Sequence, residues 1–193
     1  MKHRNYYSGI ALVLALVVLT MSCGPNNGGG ENNSPGPVCE SIPQPSEMDD
    51  CVAEDFNETL YTRSDLKDIC ENRCRTIQGF YTGSSTPLGS LELLNGITTI
   101  RAGMRLDGTV SLSSLQGAGN IEVIGTAEHA DDLALFIGTT TELKNTDGLS
   151  SLKRVGGNLR FSLNEQLTDI SGFPELEEIQ GALIIELHAE LTD

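Results

Sequence analysis

One short segment of this chain gathers the side chains that coordinate cations. Glu128, His129, Asp131 and Asp132 fall in consecutive or near-consecutive positions. Carboxylate oxygens with an imidazole nitrogen are donors that divalent ions accept. Placement argues against such a site, because an exposed loop is polar simply through being solvated. The expectation is therefore no bound metal and no cofactor, with these four residues as the positions where a metal would have to sit. Catalysis has still less to work with. Beyond the first few residues the only histidines are His129 and His188, and no nucleophile motif surrounds either. His188 reads as a turn-stabilising side chain. Gly117, Gly119, Gly156 and Gly157 resemble phosphate loops only superficially, since they recur with a periodic bend. No catalytic residue is assigned, and the chain is not expected to be an enzyme.

The cysteines point to covalent chemistry of another kind. There are 5, and leaving Cys23 aside, Cys39, Cys51, Cys70 and Cys74 make an even set, as expected where thiols oxidise. Ser64 can cap a helix on which Leu66, Ile69, Cys70 and Arg73 share a face, with Cys74 following one turn on. The expectation ties each of Cys70 and Cys74 to Cys39 or Cys51. Four cysteines permit three pairings, and the sequence leaves the choice open. The Cys-x3-Cys spacing without an adjacent histidine disfavours zinc.

The element that must position these groups is a repeat. Leu152, Val155, Gly157, Leu159, Phe161, Leu163 and Leu167 recur 24 residues later as Leu176, Ile179, Gly181, Leu183, Ile185, Leu187 and Leu191. A shift of 55 places Ile97, Ile100, Met104, Leu106, Leu112, Leu115 and Gly117 on the same pattern. In the copy between, Leu135, Ile137, Leu143 and Gly148 stand 31 beyond their counterparts, so 7 extra residues lie between Gly125 and Leu133. A degraded earlier copy begins at Cys74-x2-Ile77-x-Gly79-x-Tyr81. Such self-similarity means one supersecondary unit stacked on copies of itself. Leu159 to Leu163 alternates apolar and polar, the mark of a strand with one buried face. Gly156, Gly157 and Gly181 are expected to let the chain bend into it.

Leu159-x-Phe161-x2-Asn164-x2-Leu167-x2-Ile170, preceded by Leu152-x2-Val155-x-Gly157, resembles the repeat of receptor L-domains, leucine-rich modules of receptor ectodomains. The resemblance covers Cys74 to Asp193 and implies a mainly β, right-handed parallel β-helix-like solenoid used for recognition. The Asn164 position is Thr109, Thr140 and His188 in the other turns, so an unbroken asparagine ladder is not expected. At the N-terminus, Lys2, His3 and Arg4 precede a short apolar run, Ile10 to Leu19. Leu19-Thr20-Met21-Ser22-Cys23 then resembles a bacterial lipobox. That resemblance implies cleavage before Cys23, lipidation there, and export to the cell envelope. Gly24 rather than aspartate after the cysteine suggests sorting to the outer membrane, periplasmic or surface facing.

Four segments follow: a signal peptide over 1–22, a Gly/Asn/Pro tether over 23–38, a Cys-rich acidic segment with a capping helix over 39–76, and the solenoid over 77–193. The chain ends in mid-turn at Asp193, and a fragment of a longer protein is expected. With 12 basic and 27 acidic residues the formal charge is −15; losing Lys2 and Arg4 takes it to −17. Such a field repels nucleic acid, which is excluded as a partner. If Leu159 and Phe161 point inward, Arg160 points outward, in one column with Arg105, Phe136 and Ile184. Aromatic, aliphatic and arginine side chains together are the makings of a binding hot spot. The expected function is non-catalytic recognition of an envelope or extracellular protein or glycan by a lipid-anchored solenoid. A structural envelope protein without a specific ligand, or the N-terminal part of an exported enzyme, are the alternatives.

Overall fold

The computed structural model describes residues 39–186 apart from positions 40, 43, 54–58, 61, 62, 85 and 127–131. The proposed signal peptide, Cys23, the tether, Glu128, His129, Asp131, His188 and Asp193 lie outside the described residues.

The chain coils repeatedly, and each coil contributes two strands. In order these are β1 (Asp49–Ala53) and β2 (Thr59–Leu60), β3 (Cys74–Ile77) and β4 (Phe80–Thr82), β5 (Thr99–Ile100) and β6 (Met104–Asp107), β7 (Val123–Ile124) and β8 (Leu135–Gly138), β9 (Arg154–Val155) and β10 (Leu159–Ser162), then β11 (Glu178–Ile179) and β12 (Leu183–Glu186). The odd strands form one 6-stranded sheet and the even strands another, each in coil order. All the pairings are parallel. The protein is a mainly β, parallel solenoid of about five turns.

Register follows the repeat. Leu159 pairs with Leu135 and Leu183, and Phe161 with Ile137 and Ile185. Leu135, Ile137, Leu159 and Phe161 are buried in one continuous core that also takes in Leu112, Leu143 and Leu167 from the arcs joining the sheets. The 7-residue insertion falls at the corner between β7 and β8.

Two features differ from the sequence expectation. A second sheet runs along the solenoid, built from the two-residue strands at Arg154–Val155 and its equivalents. The solenoid also begins earlier than residue 77, because β1 and β3 already pair within that sheet. The reason lies in the first coil, where β1 lacks the leucines by which the repeat is recognised and is joined to β3 by a disulfide. Cys51 and Cys74 are bonded across β1 and β3, and Cys39 is bonded to Cys70. Each of Cys70 and Cys74 is thus tied to Cys39 or Cys51. Cys74 sits in strand β3 and not on the helix face expected for it. The helix α1, Arg63–Glu71, ends before it, and Ser64 lies within the helix rather than before it. Asn72 closes that end, with its Nδ2 donating to the Cys74 carbonyl at 2.8 Å and its Oδ1 accepting from the Cys74 amide. Leu66, Ile69 and Cys70 form the buried face of α1.

The glycines serve stacking more than bending. A Cβ on Gly156 would lie 2.2 Å from the Gly125 carbonyl oxygen of the coil before, so only glycine permits this approach. Positive φ occurs at Gly117, Gly125 and Gly148 in the turns and bends, and also at Gly108 (φ 68°), Thr139 (φ 54°) and Leu163 (φ 56°), which occupy one repeat position just after the even strands. Immediately beyond it, Asn164 is fully buried. Its Oδ1 accepts from the Thr140 amide (3.2 Å) and hydroxyl (2.8 Å), and its Nδ2 donates to the Ile137 carbonyl at 2.9 Å. Threonine and asparagine therefore share one internal ladder. On the opposite arc Asn145 bridges to Asp169. Hydrogen bonds from the Ser171 hydroxyl and amide hold the exposed Asp169 carboxyl below its ordinary range.

Candidate binding surface

The outward side chains of the even strands form a column, as a period of two requires once Leu159 and Phe161 turn inward. Arg105 pairs with Phe136, Phe136 with Arg160, and Arg160 with Ile184. The four residues expected to share this column do share it. Tyr81 extends it by one rung, in register with Arg105.

Phe136 is not the exposed aromatic that its outward direction suggests, since it is only 7% exposed. Its ring folds over Gly138, where a Cβ would come within 2.3 Å of it. Basic residues from the strands on either side cover it further. The Arg105 guanidinium carbon lies 5.0 Å from the ring centroid and that of Arg160 5.8 Å. Each such contact contributes about 0.5–1 kcal/mol at an exposed site. Covering a ring with two cations removes apolar surface from water and fixes both guanidiniums.

Acidic residues complete the arrangement. Arg105 Nη2 donates to Asp107 Oδ2 at 2.9 Å, and Arg160 Nη2 to Glu186 Oε2 at 2.6 Å. These acids stand two positions along a strand and so on the same sheet face as the arginines. The Arg105 and Arg160 side chains stay 50% and 38% exposed, so the pairs are screened and each is worth about 1 kcal/mol or less. Sequence reasoning missed Asp107, Glu186, Gly138 and Tyr81. The Arg105-x-Asp107 spacing and the 24-residue shift from Tyr81 to Arg105 were the available signals.

The remaining candidates are not drawn into this surface. Asp132 is exposed, and among the described residues no three metal-ligating side chains converge. Also among the described residues, no helix is long and apolar enough to cross a membrane. Comparison with protein-family models, with curated proteins and with solved structures finds no match. The class that the fold defines is thus a disulfide-bonded parallel β-solenoid, and function must be argued from its residues.

Proposed function

We propose that this protein is a lipid-anchored cell-envelope module, of receptor L-domain type, whose solenoid recognises a protein or glycan and catalyses nothing. The observation that carries the reading is the outward column itself. Two guanidiniums are held over a buried aromatic ring within a parallel sheet, and arginine with aromatic support is the composition of interface hot spots. The two disulfides fit an oxidising compartment, as export would supply. The lipobox-like Leu19–Cys23 and the Gly/Asn/Pro-rich stretch after it would anchor the module and space it from the membrane.

Pull-down from cell-envelope extracts with the mature chain tests recognition. A saturable partner should be retained by the native chain and lost with Arg105→Ala plus Arg160→Ala, with the folded state of the double variant confirmed by circular dichroism despite the lost cover on Phe136. Equal capture by both proteins would refute the assignment of this face. Incorporation of labelled fatty acid that disappears in Cys23→Ala tests the anchor separately.

A further inference from the structure

We infer that the ligand of this face is an extended acidic segment in the polyproline II conformation, with carboxylates three residues apart. The inference rests on the recognition reading above and names its ligand class.

Spacing is the first ground. Arg105 and Arg160 stand two rungs apart with Phe136 between them. Neighbouring strands are about 4.8 Å apart, so the two backbone origins are separated by about 9.6 Å. A polyproline II helix has three residues per turn and rises about 3.1 Å per residue, which puts side chains i and i+3 on one side about 9.3 Å apart. Acids at i and i+2 would be only about 6.2 Å apart and would point in different directions.

Available donors are the second ground. Each guanidinium uses one Nη2 on its own carboxylate. Nη1 of each makes no hydrogen bond among the described residues, which leaves room for a second carboxylate on a planar fork. Because the existing pairs are largely exposed, exchanging or sharing them is inexpensive. Arg105 and Arg160 are the only basic side chains in the described strands of this sheet, so in a chain of net charge −15 the attraction for a carboxylate is local to these two guanidiniums and competes with Asp107 and Glu186.

The sheet's own hydrogen bonding is the third ground. The interior strands β4 to β10 are paired on both sides. Their backbone groups are used within the sheet, so a ligand lying on this face can be read only through side chains. A polyproline II segment needs no backbone partners, remains solvated, and loses little entropy on docking. Tyr81 and Ile184, which flank the two arginines in the column and are partly exposed, offer apolar surface for proline rings.

The test titrates the full chain into two dye-labelled peptides, one with glutamates three apart in a proline frame and one with glutamates two apart, read by fluorescence anisotropy. Binding of the first peptide should weaken about tenfold with either Arg105→Gln or Arg160→Gln, vanish with both, and fall as salt rises. Asp107→Asn or Glu186→Gln should tighten it by freeing a guanidinium, which keeps the inference testable should an arginine variant misfold. Equal affinity for both spacings, or indifference to the arginine substitutions, would overturn it. Binding of an oligouronate in place of either peptide, lost with the same arginines, would overturn the peptide assignment and leave recognition standing. Failure of every probe while the envelope pull-down stays arginine-dependent would do the same. Loss of arginine dependence in the pull-down would sink the recognition reading itself.

Discussion

Asn164→Ala should remove about 3 kcal/mol of stability, far more than a single small side chain usually carries. The side chain is fully buried and, among the described residues, makes two hydrogen bonds to Thr140 of the preceding coil and one to the Ile137 carbonyl. Truncation leaves the Thr140 amide and hydroxyl without their acceptor in a dry interior, and each orphaned group costs about 1–3 kcal/mol. The hydroxyl can rotate towards another acceptor, while the amide is fixed in place. The sum is set near the amide's full penalty plus a fraction for the hydroxyl. Measured by urea unfolding with both disulfides intact, the loss should come as a lower midpoint at unchanged slope. In a thermal scan it corresponds to about 6–12 °C. Asn164→Asp supplies the control, since it keeps the acceptor and loses the donor. A buried carboxyl has its pKa raised, so this variant's folded state favours the protonated form. Its stability should then be highest below the unfolded carboxylate pKa and fall as pH rises, while Asn164→Ala shows no such slope. A loss below about 0.5 kcal/mol for Asn164→Ala would refute the reasoning, because the coil interface would have to be wet or able to collapse.

Three further perturbations follow from the same coils. Leu163 holds a left-handed backbone with its side chain 50% exposed. Leu163→Gly should relieve about 1–2 kcal/mol of strain against about 0.5–1 of unfolded-state entropy, for a small net gain in urea midpoint. Gly108→Ala, at the equivalent position, should lose more than 1 kcal/mol on this estimate, because its Cβ would lie 2.8 Å from the Ser84 Cα. Under a limiting dithiol, Cys51 and Cys74 should be alkylated before Cys39 and Cys70. Cys51 is exposed while Cys39 and Cys70 are buried, and exchange requires access to sulfur. Mass mapping that found the buried pair opened first would contradict this.

The repeat made the inner columns legible at single-residue precision. A shift of 24 put Leu183 on Leu159 and Ile185 on Phe161, and these are the pairs that meet in β10 and β12, although Leu183 and Ile185 themselves stay exposed among the described residues. It worked because most inward side chains stacked at the same level in successive coils are apolar, the Thr109, Thr140 and Asn164 ladder apart, so the sequence carries the period directly. The second sheet left no comparable trace. A two-residue strand such as Arg154–Val155 is too short to show an alternation, and its Val155 reads equally well as the end of a turn. The first coil was hidden for another reason. Asp49–Ala53 contains no leucine and is joined to β3 by the Cys51–Cys74 disulfide, so a search for leucine spacing passes over it. The burial of Phe136 was also out of reach. Direction follows from period two, but shielding depends on which way the ring folds, and that was decided by the glycine two residues on.

Burying Phe136 changes what the outward face offers a partner. An exposed ring would contribute apolar area and invite the edge-on or face-on association that solenoid sheets must avoid. With the ring seated on Gly138 and covered by Arg105 and Arg160, its apolar energy holds two cations in place before any ligand arrives. A long flexible arginine ordinarily loses up to about 2 kcal/mol of rotamer entropy when fixed, and here much of that loss is already taken in folding. Asp107 and Glu186 then keep each charge from standing unpaired while the face is empty. On the proposed reading, affinity at this face would be limited by exchange of weak ion pairs and specificity by the distance between two fixed points, so ligands would be discriminated by charge spacing more sharply than by charge amount. Replacing Phe136 by Leu should accordingly blur selectivity between carboxylate spacings while leaving both arginines chemically intact.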